Sequence, residues 1–202
     1  NVRQEYNLSV SGASDKMNYY MSAGYLDDQG IVPNSGFQRY SARLKADYQV
    51  KPWLKLGANV SFTHYDSREQ DTEGGTSNAN IFYASNIMGA IYPMYIRDAQ
   101  GNIMTDNRGF QRYDYGKKGQ DTNGSRNTIP NANPLASYML DKMKYSGDVV
   151  SGKWFADVDI WGGIKAKVNI GVDANNVRNT DMVNPFYGQY SETTGVGGLI
   201  SV

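Results

Sequence analysis

Residues 40–62 have the sequence YSARLKADYQVKPWLKLGANVSF, in which two alternating runs flank a turn of a few residues. The first run ends at Tyr48, the turn holds Pro52 and Trp53, and the second run spans residues 54–62. Every second side chain in each run is apolar, and the others are polar or small. Successive side chains of a β-strand point to opposite faces of the sheet, so each run predicts a strand with one apolar face. The stretch therefore predicts an antiparallel hairpin.

Two tyrosines bound the apolar run of the first strand. Tyr40 and Tyr48 are eight positions apart. This separation corresponds to about 27 Å along a strand, or about 20 Å of height once the strand tilts by about 40°. That height is close to the lipid-facing band of a transmembrane β-barrel, which aromatic girdles bound at both edges. The spacing favours a membrane protein, although a half-buried soluble sheet gives the same alternation.

The composition narrows the class of protein. The 202 residues carry 20 Lys and Arg against 20 Asp and Glu, so the chain has no excess charge that would favour nucleic acid as a partner. The absence of cysteine argues against a disulfide scaffold and against thiolate metal sites. No run of about 18 apolar residues occurs, so a membrane-spanning helix is not expected. Asn1 leads directly into alternating residues without an export signal, and the chain is interpreted as a fragment.

Alternation of the same kind recurs before and after the central hairpin. Six strands in three hairpins are predicted near residues 4–13, 17–26, 38–49, 54–65, 150–160 and 164–175. Loops are predicted at residues 27–36, 66–148 and 176–202. Short turns at one rim and long loops at the other are typical of outer-membrane barrels, whose long loops are extracellular. The predicted fold class is all-β, an antiparallel transmembrane β-barrel segment, with residues 1–202 forming part of one barrel domain.

Aromatic residues on the predicted apolar face indicate two membrane belts. The belt near the loop end is predicted to contain Tyr6, Tyr25, Tyr40, Phe62 and Trp154. The belt near the turn end is predicted to contain Tyr19 and Tyr48. Aromatic girdles of this kind mark both interfaces of a transmembrane barrel.

The long segment between the second and third hairpins is predicted to be a structured excursion. A helix is predicted over residues 77–88, a small hairpin around residues 98–101, and a second helix start at Asn133 before Pro134. Candidate contacts to a substrate or partner are the loop aromatics Tyr92, Tyr95, Phe110, Tyr113, Tyr115, Phe186, Tyr187 and Tyr190. Their flat rings can stack on sugars or fill pockets of a partner, and packing within the loops is the equal alternative.

Three segments carry a family resemblance: QEYNLSVSGASDKMNYYMSAGYLDDQGI at residues 4–31, FQRYSARLKADYQVKPWLKLGANVSFT at 37–63 and WFADVDIWGGIKAKVNIGVD at 154–173. They resemble SusC/RagA-type TonB-dependent outer-membrane transporters. IYPMYIRDAQGNI at residues 91–103 is also similar to a loop segment of that family. Residues 1–202 show neither a plug nor a TonB-contacting box, so the chain resembles an early section of the barrel.

The resemblance implies a barrel of about 22 strands in the outer membrane of a Gram-negative bacterium. It also implies several partners: the rest of the barrel, a plug inside it, a SusD-like surface lipoprotein, and TonB acting through the missing N-terminal region. The implied function is import of oligosaccharides or peptides with energy from TonB. The family resemblance implies no cofactor and no enzymatic activity.

Two other functions remain open from the residues alone. Tyr-rich loops on short strands are also typical of a soluble extracellular carbohydrate-binding β-sandwich. Asp157 and Asp159 are about 7 Å apart by strand rise, a separation compatible with the carboxylate pair of a glycoside hydrolase. The alternative for these carboxylates is pairing with Lys165 and Lys167 on the neighbouring strand, which would form a mixed-charge wall.

No catalytic, cofactor-binding or metal-binding residue is assigned. His64 is the only histidine, which excludes a cluster of histidine ligands, and its predicted place is a solvated strand end. Residues 121–124, Asp-Thr-Asn-Gly, resemble part of a calcium loop but lack the distal glutamate. Calcium binding there stays an open alternative.

Overall fold

The computed structural model describes residues 2–69, 81–116, 122–129, 133–183 and 199–202. Its strands form one sheet in which neighbours follow the chain order. The strands are β1 (Arg3–Ala13), β2 (Met17–Gln29), β3 (Gly36–Lys51), β4 (Leu54–Glu69), β5 (Lys142–Trp161), β6 (Ile164–Val183) and β7 (Leu199–Ser201). Two short helices, α1 (Ile81–Ile87) and α2 (Pro134–Leu140), lie between β4 and β5 in the sequence. The predicted all-β class with six long strands is confirmed.

The chain divides into two compact units. The first unit comprises residues 1–68 and 145–178, and the second comprises residues 69–144 and 179–202. The first unit holds most of the length of the six long strands. The second unit holds both helices and the excursion between β4 and β5.

The strands are longer than the apolar alternation predicts. β2 ends at Gln29 and β4 at Glu69, whereas the sequence predicts ends near residues 26 and 65. β5 begins at Lys142 and β6 ends at Val183, beyond the predicted limits of 150 and 175. Because the strands are longer, the connecting segments are shorter than the loops predicted at residues 27–36, 66–148 and 176–202. Main-chain pairing does not require an apolar face, so it continues after the alternation has stopped.

A seventh strand follows the long polar segment at the end of the chain. β7 pairs antiparallel with the end of β6, with Met182 opposite Ile200. The expectation that no further strand follows β6 is therefore wrong. The three residues of β7 are too few for their alternation to show in the sequence.

The three short turns close the hairpins at the same end of the sheet, where β1, β3 and β5 end. In the last of these turns, Gly162 and Gly163 have φ angles of 61° and 86°. Positive φ at both central residues is the requirement of a type I′ turn, which only glycine and a few polar residues meet without strain. The sequence WGGI therefore encodes the β5–β6 hairpin locally.

The apolar face of the first unit is not covered by another layer of the described residues. Leu8 on β1 is 71% exposed, and Val168 and Val172 on β6 are 55% and 52% exposed. In the alternative β-sandwich, these side chains would pack against a second sheet. The arrangement differs from that alternative, because the exposed apolar rows belong to a single sheet.

The second unit contains three chain segments joined in a ring of main-chain hydrogen bonds. The N–H of Ile96 donates to the carbonyl of Arg112, that of Arg112 to Met104, and that of Met104 back to Ile96, each at 2.9 Å. These residues are eight positions apart, as are Asp98, Asp106 and Asp114. We call residues 94–116 the triangular module. The predicted hairpin around residues 98–101 is its first corner, since Arg97 pairs with Ile103.

The two helices differ in how closely they match the predictions from the sequence. Asn133 caps α2 by accepting a hydrogen bond from the N–H of Ala136, and Pro134 occupies the first turn, as predicted. α1 ends at Ile87, one residue before the predicted limit of residue 88. The predicted start of this helix at residue 77 lies outside the described residues.

Candidate functional site

A row of aromatic rings crosses four strands at the loop end of the apolar face. Tyr6 lies opposite Tyr25, Tyr25 opposite Tyr40, and Tyr40 opposite His64. The centroids of neighbouring rings are 6.4, 5.0 and 6.4 Å apart. We call these four residues the tyrosine row. Three of the aromatics predicted for the loop-end belt thus lie side by side.

The apolar face ends abruptly at the tyrosine row. Two residues further toward the loop end, Gln4, Asp27, Gln38 and Asp66 lie opposite one another across the same four strands. Two residues toward the turn end, the facing residues are Leu8, Ala23, Ala42 and Phe62. A change from polar to aromatic to aliphatic within about 13 Å of strand length matches the boundary between water, lipid headgroup and hydrocarbon.

His64 is part of a polar cluster rather than a solvated strand end. Its Nδ1 lies 2.7 Å from Oδ1 of Asp148 on β5, and its Nε2 lies 3.9 Å from Oδ1 of Asp66. The hydroxyl of Ser146 donates to the same Asp66 oxygen at 2.6 Å. These contacts join β4 to β5 at the level of the tyrosine row.

The aromatic residues near the short turns differ by one residue from the predicted turn-end belt. Tyr19 lies over Gly12, and Tyr48 lies opposite Leu56, both near the short turns. Trp154 was predicted near the loop end, and this prediction is wrong. Its neighbour Phe155 covers Gly57, which is opposite Asp47 close to the turn end. β5 begins earlier than predicted, so Trp154 lies further along the strand.

The opposite face of the sheet, which we call the polar face, carries ion pairs at its turn end. Asp157 pairs with Lys167 at 3.4 Å, and Asp159 pairs with Lys165 at 3.0 Å. The predicted mixed-charge wall is therefore present. Each carboxylate is paired with its own lysine, whereas the acid of a glycoside hydrolase has to be free to protonate the leaving group.

The ring of Phe155 contacts two lysines next to these ion pairs. Phe155 lies between the Nζ atoms of Lys55 and Lys167, which are 5.9 and 5.3 Å from its ring centroid. Lys55 also pairs with Asp47 at 3.6 Å. A side chain at position 57 would overlap the Phe155 ring, so glycine is required there. The ring thereby shields the main chain of β4 and orients two lysines.

The loop aromatics that the sequence singles out divide into a buried and an exposed group. Tyr113 and Tyr115 are buried, and the ring of Tyr95 packs 5.1 Å from that of Tyr113. Together with Ala136 they form a small core, so these rings stabilise the second unit. Phe110 is 61% exposed. Tyr92 is half-buried, and Phe186, Tyr187 and Tyr190 lie outside the described residues.

Phe110 is presented by the second corner of the triangular module. The Oδ1 of Asp106 accepts hydrogen bonds from the N–H groups of Arg108 and Phe110, both at 2.9 Å. The guanidinium of Arg108 lies 3.1 Å from Oδ2 of Asp106 and 6.0 Å from the Phe110 ring. The exposed ring is therefore held on a preorganised turn, which lowers the entropy lost when it contacts a partner.

Asp98 forms the first corner in the same way, and its pKa is lowered from the ordinary value. The causes are a hydrogen bond from the Asn102 side chain and further bonds from main-chain N–H groups. A lowered pKa means that this stabilisation is present above the ordinary pKa near 3.8 and is lost as the pH falls through the lower value in the folded protein.

We therefore expect the first corner to open in acid, below about pH 4. Proteolysis of the module by pepsin at a series of pH values measures the opening. In the variant N102A the cleavage should begin at a higher pH, because the largest cause of the lowered pKa is removed. Cleavage with the same pH dependence in both proteins would contradict this assignment.

The second unit also depends on three buried polar residues whose role in joining its segments sequence reasoning missed, although Asn133 was predicted as a helix start. The Asp114 carboxylate accepts hydrogen bonds from the N–H of Gly116, the N–H of Asn123 and the hydroxyl of Thr122, each at 2.7 Å. Asn133 donates to the carbonyls of Met94 and Asp114 at 2.7 and 2.9 Å. The repeated spacing of Asp98, Asp106 and Asp114 was the signal available for the first of them.

The third missed residue, Arg126, is almost fully buried. Its Nε donates to the carbonyl of Ile129 at 3.1 Å, and its Nη1 lies 3.4 Å from the carbonyl of Asp114. Burial lowers the pKa of this guanidinium, while the nearby Asp114 opposes the shift. Arg126 therefore has a structural role at the centre of the second unit.

The calcium alternative finds no further support in the described residues. Thr122 and Asn123 are bound to Asp114, and Asp121 lies outside the described residues. No group of three or more His, Asp or Glu side chains suited to a metal ion occurs within the described ranges. Neither of the helices in those ranges has the length and apolar run that a membrane crossing needs.

Comparisons with known proteins agree with this geometry. TonB-dependent receptor P39 of Formosa agariphila is 30% identical over 87 residues, which are 43% of this chain and 8% of that protein. TonB-dependent receptor SusC of Bacteroides thetaiotaomicron is 32% identical over 79 residues, 39% of this chain and 8% of that protein. The RagAB peptide importer in its open-open state matches 91% of this chain and 19% of its own, with a TM-score of 0.58 and 22% identity.

These similarities confirm the predicted resemblance to SusC/RagA-type TonB-dependent transporters. The structural match establishes the fold, an antiparallel section of a β-barrel. The matched segments cover less than a tenth of the length of the two receptors. No protein-family model matches the sequence.

Proposed function

We propose that this chain, similar as it is to a section of SusC/RagA-type TonB-dependent transporters, forms part of the barrel wall of an outer-membrane importer in a Gram-negative bacterium. The observation that supports the proposal is the contrast between the two faces of the first unit. One face is apolar and exposed, and it is bounded by the tyrosine row. The opposite face carries charges, amides and hydroxyls. A barrel wall has lipid on one side and a polar interior on the other.

The height of the apolar face fits a bilayer. It extends from the tyrosine row to the level of Met17, Tyr48 and Leu56, which lie opposite one another. On β3 this is the distance from Tyr40 to Tyr48, about 20 Å of membrane height after strand tilt. We assign Tyr19, Tyr48 and Trp154 to the membrane interface at the turn end of the sheet. The tyrosine row and Phe62 are assigned to the interface at the loop end.

The sheet needs further strands to function in a membrane. β1 lies at one edge of the sheet and has β2 as its neighbour on one side. Unpaired main-chain N–H and C=O groups cost several kcal/mol each in hydrocarbon, so the free edges must pair with other strands of the same barrel. A barrel of about 22 strands would provide them.

The short turns are assigned to the periplasm, and the segments between β2 and β3, between β4 and β5, and after β6 are assigned to the extracellular side. There Phe110, with Tyr92 and the aromatics near the end of the chain, would contact the substrate or a SusD-like lipoprotein. Import of an oligosaccharide or peptide would be coupled to TonB through the plug of the complete protein. No catalytic step is proposed.

The assignment of the two faces can be tested with adjacent positions on β6. Val168 lies on the apolar face and Asn169 on the polar face. In the complete protein in lipid vesicles, a fluorophore attached in the variant V168C should be quenched strongly by brominated lipids and weakly by aqueous iodide. The variant N169C is the matched control and should show the opposite preference. Equal quenching of both positions by iodide would contradict the membrane assignment.

Transport is tested separately in cells. Deletion of the complete gene should abolish uptake of its glycan or peptide, and loss of TonB should have the same effect. Uptake that continues without TonB would refute the coupling while leaving the barrel assignment intact.

A further inference from the structure

Two neighbouring rows of the polar face carry cations that do not belong to the ion pairs at the turn end. Arg43 and Lys45 lie on β3, opposite Ser61 and Asn59 of β4. The Nε of Arg43 donates to Oδ1 of Asn59 at 3.0 Å, which brings the guanidinium to the Lys45 row. Both cations are exposed.

Lys153 of β5 joins the same row from the other side. The N–H of Asp159 donates to the carbonyl of Trp53 at 2.8 Å, which sets the pairing of β4 with β5. Asn59 is six positions after Trp53, and Lys153 is six positions before Asp159. The antiparallel pairing therefore places Lys153 opposite Asn59. The His64–Asp148 contact further along the strands agrees with this register.

These three cations differ from the lysines at the turn end in having no counter-charge. Lys55, Lys165 and Lys167 each pair with an aspartate. No carboxylate among the described residues forms an ion pair with Arg43, Lys45 or Lys153. Asp173 on β6 lies in the same row as Arg43, and its carboxylate accepts a hydrogen bond from Ser151 on β5.

The side chains around the cations are hydroxyls, an amide and a phenol. Arg43 lies opposite Ser22 as well as Ser61, and Lys45 lies opposite Tyr20 as well as Asn59. Like charges without a counter-charge repel one another and attract an anion, most strongly where the walls of a pore exclude water. Rings of Arg and Lys have this function in anion-selective pores.

We propose that Arg43, Lys45 and Lys153 bind the anionic groups of an acidic oligosaccharide, such as uronate carboxylates or sulfates, inside the barrel. The proposal rests on the proposed function and names the substrate class. The remaining guanidinium N–H groups of Arg43 can hold a carboxylate or sulfate in two hydrogen bonds, and the two lysines act as point charges. The hydroxyls and the amide match sugar hydroxyls. Apart from the Tyr20 phenol, the neighbours of Arg43 and Lys45 on the adjacent strands carry hydroxyl or amide groups rather than apolar side chains, which favours a sugar over a peptide.

The test measures binding to the purified, complete transporter by calorimetry in about 50 mM salt. The probes are a galacturonic acid tetrasaccharide and maltotetraose, which is neutral and of equal length. The acidic probe should bind at least about tenfold more tightly, and this preference should shrink as salt is raised. The double variant K45Q/K153Q should lose the preference. The matched control K165Q removes a lysine that is paired with Asp159 and should keep it.

Several results would overturn the proposal. Equal affinity of the two probes in the unmodified protein would do so, as would a full preference in K45Q/K153Q. If tetraglutamate binds as tightly as the acidic sugar, the ligand of this site would be an acidic peptide and not an oligosaccharide. If the double variant does not assemble, the single variants K45Q and K153Q should each lower the preference by about threefold, and an unchanged preference in both would refute the site.

The cations could instead hold an acidic segment of the protein itself. In that case a photoreactive crosslinker attached to a cysteine at position 45 would link to another part of the complete chain, and the acidic sugar would not reduce this crosslinking. This result would also overturn the proposal. Failure of the proposed function looks different, because a protein that is not an importer shows no TonB-dependent uptake of any probe, whereas failure of this inference leaves uptake intact without a charge preference.

Discussion

With the apolar face in lipid, as proposed, the substitution V10R is expected to destabilise the barrel by about 2–4 kcal/mol, because it would place a cation near the middle of the hydrocarbon layer. Val10 is 54% exposed on the apolar face. It lies opposite Met21, which lies opposite Leu44, in a row about midway between the tyrosine row and the turn-end belt. An arginine in this row could not reach either interface without distorting the strand or thinning the bilayer.

The adjacent position provides the control. Ser9 precedes Val10 on β1 and lies on the polar face, opposite Ser22. The variant S9R adds the same side chain at the same depth but directs it to the barrel interior, so its expected effect is within about 0.5 kcal/mol. Urea unfolding of the complete protein in lipid vesicles measures both variants. If both cost the same, the apolar face is not in contact with lipid.

The substitution D114A is expected to open the second unit locally by about 3 kcal/mol, or roughly a hundredfold in the opening equilibrium. Asp114 is 1% exposed, and its carboxylate accepts three hydrogen bonds. Alanine would leave the N–H groups of Gly116 and Asn123 without this acceptor. A buried donor without a partner costs about 1–3 kcal/mol, so the loss exceeds that of an ordinary surface hydrogen bond.

The triangular module supplies its own control for this experiment. Asp98 occupies the equivalent position eight residues before Asp106, and its carboxylate accepts hydrogen bonds from Gln100 and Asn102 at an exposed corner. The variant D98A therefore leaves donors that water can satisfy. Hydrogen exchange should accelerate about a hundredfold across residues 94–116 in D114A, whereas in D98A the acceleration should be confined to the first corner. Similar exchange in the two variants would show that Asp114 does not hold the unit together.

The sequence alone was sufficient for the parts of the fold that depend on local periodicity. Alternation with a period of two determines which side chain faces which side, and Gly162 and Gly163 determine one turn. The antiparallel order and the positions of Tyr40 and Tyr48 at the two ends of the apolar run of β3 followed from these features. The pairing of Asp157 and Asp159 with lysines followed as well, because it needs only neighbouring strands.

Pairing between distant parts of the chain decided the rest. β5 begins at Lys142, eight residues before its predicted start, and the wrong start moved Trp154 to the wrong end of the apolar face. A hydrogen-bonded ladder continues wherever a partner strand is present, whatever the polarity of the side chains. Strand ends are therefore properties of pairs of strands and not of one segment.

The site shows the same division. The alternation within each strand determines which side chains lie on the apolar face and which on the polar face, because each strand has a period of two by itself. The second unit depends on Asp114, Arg126 and Asn133, which lie within twenty residues of one another but act through segments as distant as Met94. No periodicity marks a residue as buried when its burial comes from other segments. Likewise, it was the register of three strands that revealed three cations around Asn59 with no ion pair among the described residues, because such a lack depends on every neighbouring strand.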